Sequence, residues 1–88
     1  ELRQNEEQSK NFSWIILMNI FKTEEDASIY KEELILRGQE SILEKRLEDE
    51  VLWYWVYIPC TSSKESCEKL IQDNPIFFYE ENFLIKKL

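Results

Sequence analysis

Apolar positions fall along this chain in two similar blocks. Trp14-Ile-Ile-Leu-Met-Asn-Ile-Phe21 runs into Lys-Thr-Glu-Glu-Asp-Ala27, and Tyr54-Trp-Val-Tyr-Ile-Pro-Cys60 runs into Thr-Ser-Ser-Lys-Glu-Ser-Cys67. Each block is a short apolar run that stops at a polar turn and continues into a charged helical pattern with a small residue at the same place. Ser13–Phe21 is almost continuously apolar, the pattern of a central strand covered on both faces. Thr23 is positioned to cap a following helix, with Glu24, Glu25 and Asp26 at the positive end of its dipole. Ala27, Tyr30 and Leu34 share one helical face, and Arg37-Gly38 closes the helix, the chain's only glycine serving as a left-handed cap.

Gln39–Leu47 mixes apolar and charged residues as an edge strand does, and Glu48-Asp49-Glu50 reads as a hairpin turn. In Val51–Ile58 the alternation puts Leu52, Tyr54, Val56 and Ile58 on one face and Trp53, Trp55 and Tyr57 on the other. Pro59 ends that strand. Ser62-Ser-Lys-Glu65 reads as a capping box before a helix that buries Cys67, Leu70 and Ile71, and Asp73-Asn-Pro75 breaks it. Ile76–Tyr79 is an aromatic segment, either a loop on the core or a short strand, and Phe83–Lys87 reads as the last strand. The predicted fold is α+β: one βαββαβ sandwich over residues 12–88, a four-stranded sheet with two helices on one face. Glu1–Asn11 is nearly devoid of apolar residues and reads as a linker or tail. The chain opens without Met, as expected of a domain taken from a longer protein.

Composition narrows the function. The chain has 88 residues, 43% apolar and 14% aromatic, enough for one small core, and a net charge of −7. Nucleic acid is disfavoured as a partner, because phosphate binding relies on clustered Lys and Arg. Without histidine, histidine-based zinc sites and Ser–His or Cys–His catalysis are ruled out. No glycine-rich phosphate loop, paired carboxylates or activated nucleophile is identifiable, so no catalytic residue, metal or cofactor is expected and the chain reads as a non-enzymatic binding module. No run of about 18 apolar residues offers a membrane span. Cys60 and Cys67 are expected to be unpaired, with Cys60 before the helix cap and Cys67 facing the core one turn in, beyond the ~7 Å Cα separation that a bridge tolerates. An oxidising compartment would still permit their pairing.

The one constellation with chemical content is the aromatic alternation. If the other face of that strand packs on the helices, Trp53, Trp55 and Tyr57 stand on the open face, joined by Ile15, Leu17 and Asn19 of the first strand. Rings in a row can stack on sugar C–H faces or on a partner's apolar side chains. They could instead be covered by Ile76–Tyr79 or by the tail.

These residues resemble the SPOR domain of bacterial cell-envelope and cell-division proteins. Trp14–Phe21 matches its first strand, Asp26-Ala27 its Asn-Ala pair, Leu34 and Gly38 its helix end, Tyr54–Cys60 its second strand and Ser66-Cys67-Glu68-Lys69-Leu70 its second helix. The chain departs from the consensus at Leu17, Asn19 and Ile20, where the family has Gln, Gly and Ser, and at Pro59-Cys60-Thr61, where it has Gly-Pro-Phe. The resemblance implies non-catalytic binding of peptidoglycan glycan strands free of stem peptides through the open sheet face. It also implies a periplasmic or envelope location as the soluble domain of a membrane-anchored protein. The more apolar face leaves an alternative, a protein-interaction or homodimerisation module of the same fold.

Overall fold

The computed structural model describes residues 12–88; the expected tail, residues 1–11, lies outside the described residues. In chain order the elements are β1 (Trp14–Phe21), α1 (Glu24–Leu36), β2 (Ile42–Glu48), β3 (Val51–Pro59), α2 (Lys64–Asp73), α3 (Pro75–Phe78) and β4 (Leu84–Lys87). The sheet runs β2-β3-β1-β4 with all three pairings antiparallel. This is the ferredoxin-like arrangement, with the two apolar strands β1 and β3 in the middle and the charged strands at the edges.

The core follows from strand parity. Ile16 and Met18 of β1 and Val56 and Ile58 of β3 point toward the helices, where they meet Ala27 and Leu34 of α1, Cys67 of α2 and Phe78 of α3. Thr23 caps α1 by accepting from the Asp26 amide at 3.2 Å. At the other end Gly38 adopts φ +94°, and the amides of Gly38 and Gln39 donate to the carbonyls of Ile35 (2.9 Å) and Leu34 (3.0 Å), the paired closure that an αL residue permits. A Cβ at Gly38 would meet nothing within 4 Å, so any side chain there is opposed by backbone strain alone. Arg37 then ties this end to α3. It pairs with Glu81 at 3.1 Å and stacks over Phe77 with 4.6 Å to the ring centroid.

Three local expectations are corrected. The cap of α2 is Ser63 rather than Ser62: its hydroxyl accepts from the Ser66 amide at 3.2 Å, so Ser66, not Glu65, occupies the third helical position. The Ile76–Tyr79 segment is neither loop nor strand. Pro75 at the first position of α3 starts a helical turn that buries Phe78 under the sheet, between Phe77 and Phe83.

The third correction concerns the cysteines, which form a disulfide with Cα atoms 5.2 Å apart. The Ser13 and Trp14 amides donate to the Thr61 carbonyl, and the Thr61 amide donates to Ser66 Oγ at 3.0 Å. Thr61 is thereby folded back onto the start of α2, which carries Cys60 over Cys67.

Candidate functional site

The side of the sheet away from the helices is assembled from alternate residues of four strands. The Asp49-Glu50 turn pairs Glu48 with Val51, and counting back along the ladder sets Arg46 opposite Trp53, Glu44 opposite Trp55 and Ile42 opposite Tyr57. On the other flank Leu17 stands opposite both Tyr57 and Leu84, and Ile15 opposite both Pro59 and Lys86. Trp53, Trp55, Tyr57, Ile15 and Leu17 therefore share one face.

Asn19 does not join them in the expected register. The β1–β3 ladder slips between Leu17 and Asn19, so Asn19 falls opposite Val56 and Ile20 takes the place opposite Trp55. This is a β-bulge, in which one strand carries an extra residue. Asn19 suits it chemically: its exposed side chain accepts from the Ile20 amide at 2.8 Å, satisfying a donor that the interrupted ladder leaves free.

The three aromatic rings are not equally open. Trp55 is 5% exposed and Tyr57 3%, forming a second buried cluster with Ile15 and Leu17, against which Phe12, Ile42 and Trp53 pack. Thus only Trp53 retains substantial access, and the expectation of a three-ring exposed platform is corrected. Long side chains reach across from both edges. The Arg46 guanidinium lies 4.4 Å and the Lys86 ammonium 5.9 Å from the Trp55 ring centroid, Lys22 lies 5.5 Å from that of Trp53, and Phe12 packs edge-on to Tyr57. The Ile76–Tyr79 segment lies on the opposite, helix-bearing side.

A polar chain threads this apolar cluster. Tyr57 Oη donates to Glu44 Oε1 at 2.6 Å, and Arg46 Nε donates to Glu44 Oε2 at 3.1 Å. Burial and the hydrogen bond to Glu44 push the Tyr57 phenol well above its ordinary range, because ionising it would create an anion in a poorly solvated place beside a carboxylate. Arg46 offsets only part of this.

Beside Trp53 and the edge of Trp55 opens a cleft of about 390 Å³, also lined by Ile20, Val51, Glu48 and Asp49. Its volume falls within the range of small-ligand sites. The hairpin at its rim is conformationally expensive, since Asp49 and Glu50 have φ of +54° and +64° where glycine or asparagine is the ordinary choice. Apolar floor and carboxylate rim together suit a ligand with one flat apolar surface and hydroxyl or amine donors at its edge.

Sequence reading missed Glu44, Arg46, Ile20 and Lys86. The first two were accessible from the hairpin, since a two-residue turn at Asp49-Glu50 dictates which β2 residues share a face with Trp53 and Trp55. Ile20 and Lys86 required the bulge and the β1–β4 register, for which no local signal exists. Among the described residues no group of three or more Cys, Asp or Glu is placed to hold a metal ion, and no helix is long and apolar enough to cross a membrane. No family model, curated protein or solved structure matches the chain.

Proposed function

We propose that this SPOR-like domain is a non-catalytic module that binds peptidoglycan glycan strands through the sheet face opposite its helices, localising a cell-envelope or cell-division protein. The observation that carries this reading is the cleft at Trp53. A half-buried indole forms one wall, Ile20 and Val51 add apolar surface, and Glu48 and Asp49 offer acceptors for sugar hydroxyls. Aromatic wall and polar rim is the combination that a pyranose ring needs, apolar on its C–H faces and polar around its edge. The Cys60–Cys67 disulfide supports an oxidising, extracytoplasmic compartment, where peptidoglycan lies.

The test is co-sedimentation with purified sacculi from which amidase has removed part of the stem peptides, leaving enough cross-links for the wall to pellet. Wild-type protein should pellet with them, and Trp53→Ala should remain folded and stay in the supernatant. Wild-type protein that never pellets would exclude the glycan reading.

A second reading, a protein-interaction or dimerisation module, is favoured by one observation. Ile20, Val51 and Leu84 are exposed on the same face beside the buried Trp55 cluster, an apolar fringe larger than a sugar requires. Sedimentation equilibrium over a wide concentration range separates the two, since a dimer buried on this face would dissociate on dilution and would be lost in Val51→Lys.

A further inference from the structure

We infer that Arg46 and Lys86 form a carboxylate-reading subsite on the sheet face, with Trp55 as its floor. The inference rests on the glycan reading above and specifies which chemical form of the strand is preferred.

The chain carries a net charge of −7, yet two cations from opposite edges of the sheet, β2 and β4, converge within 6 Å of one indole centroid. The carboxylate bonded to Arg46 is Glu44, and it is already divided between Tyr57 Oη and Arg46 Nε. Among the described residues the two Nη nitrogens of Arg46 have no hydrogen-bond partner and Lys86 makes no ion pair. The spot therefore keeps an unneutralised positive charge, partly shielded from water.

Arg46 is also preorganised. Glu44 fixes its Nε edge, Glu44 is itself held by Tyr57, and the guanidinium plane rests on Trp55. A guanidinium anchored along one edge, with free N–H groups on the other side, presents the fork that matches a carboxylate, while Lys86 adds a mobile ammonium from β4. Cation–π packing alone would account for one such side chain; two that meet at one ring, where the one bonded carboxylate is already taken by Tyr57 and Arg46, leave capacity for an incoming anion.

The matching ligand is a sugar acid. When an amidase removes a stem peptide, it hydrolyses the amide that joins the peptide to the lactyl ether of muramic acid, and a free carboxylate remains on alternate sugars of the strand. Arg46 and Lys86 would recognise that carboxylate, so preference for stripped strands would have an electrostatic source. The general field of the protein works against such a preference, because a chain of net charge −7 repels a polyanionic strand. Any gain in affinity from the carboxylate must therefore arise locally.

The experiment compares two preparations of amidase-stripped sacculi, one native and one whose carboxylates have been converted to neutral amides with carbodiimide and methylamine. Wild-type protein should bind the native form about tenfold more tightly, the scale expected of charge-assisted hydrogen bonds at a partly exposed site. The preference should shrink with added salt. Lys86→Met, on an edge strand, should reduce the preference several-fold, Arg46→Met should nearly abolish it, and Arg46→Lys should restore part of it. The ratio between the two preparations is the readout, since uncovering Trp55 in Arg46→Met changes affinity for both. Equal binding of wild type to both preparations, or an undiminished preference in folded Lys86→Met and Arg46→Met, would overturn the subsite and leave the glycan reading standing. Binding to neither preparation would remove both.

Discussion

Trp55→Ala should destabilise the domain severely, although its ring lies on the face of the sheet that no helix covers. The side chain is 5% exposed and packs with Ile15, Leu17 and Tyr57, with the Arg46 guanidinium stacked on it. Removing a buried Trp side chain costs about 3–5 kcal/mol. Losing the cation–π contact adds about 0.5–1 kcal/mol. A domain of this size has a total stability of roughly 5–10 kcal/mol, so the variant should lose at least about a third of it. In thermal terms the loss corresponds to about 15 °C or more. Trp53→Ala, at a half-exposed position one pleat pair closer to the hairpin, should cost only about 1–2 kcal/mol from lost apolar contact. Urea unfolding followed by far-ultraviolet circular dichroism measures both. If Trp55→Ala unfolds within about 1 kcal/mol of wild type, the ring is not structural and the face is the open platform that strand alternation alone suggests. The contrast also governs the binding assays: loss of ligand in Trp53→Ala reports on the cleft, whereas loss in Trp55→Ala confounds site and fold.

Three further outcomes follow from local features. The Cys60→Ser/Cys67→Ser variant should lose about 2–3 kcal/mol, the loop-closure value for the short span of seven residues, and reductant should lower wild-type stability equally without affecting the variant; two free thiols in denatured, unreduced protein would refute the pairing. Glu50→Gly should raise the urea midpoint by about 0.5–1 kcal/mol of stability, since it relieves a left-handed residue in the hairpin at the cost of some chain entropy, and a lowered midpoint would show that Glu50 makes a compensating contact. Because the folded Tyr57 phenol is raised above its ordinary 10.0, the folded state holds that proton more tightly than the unfolded chain; its contribution is intact below about pH 10 and lost as pH rises beyond it, and Tyr57→Phe should flatten that alkaline decline in urea midpoint.

Much of the architecture was legible because two periodicities were clean. The near-continuous apolar run at Ser13–Phe21 predicted a strand covered on both faces, and Ile15, Ile16, Leu17 and Met18 are all buried. The alternation from Trp53 to Ile58 assigned both faces of β3 correctly, and Gly38 marked the end of α1. Events that depend on distant partners were hidden. Parity places Trp55 on a face but says nothing of whether Arg46 and Lys86 will reach across it. The disulfide depended on Thr61 folding back between the start of β1 and Ser66, and the β1 half of that contact lies more than forty residues away along the chain. The helical turn at Pro75–Phe78 was masked by its aromatic composition, since Ile-Phe-Phe-Tyr suits a strand as well as a buried turn.

The bulge at Asn19 acts as a phase change within a single strand. Before it, odd-numbered residues face the cleft side and even-numbered ones the helices; after it the parity reverses, so Ile20 borders Trp55 while Phe21 turns inward to pack on Tyr30, with 5.3 Å between ring centroids. Deleting Asn19 would therefore erase the bulge without turning any side chain to the other face. With ladder pairing kept up to Leu17, Met18 would fall opposite Val56, and Ile20 and Phe21 would keep their present partners, Trp55 and Tyr54. Removing Ile20 instead would let the strand straighten with Asn19 opposite Trp55, exchanging an apolar wall of the cleft for an amide while Phe21 stays inward. A strand one residue shorter here keeps both its faces, and which residue is missing decides what lines the cleft.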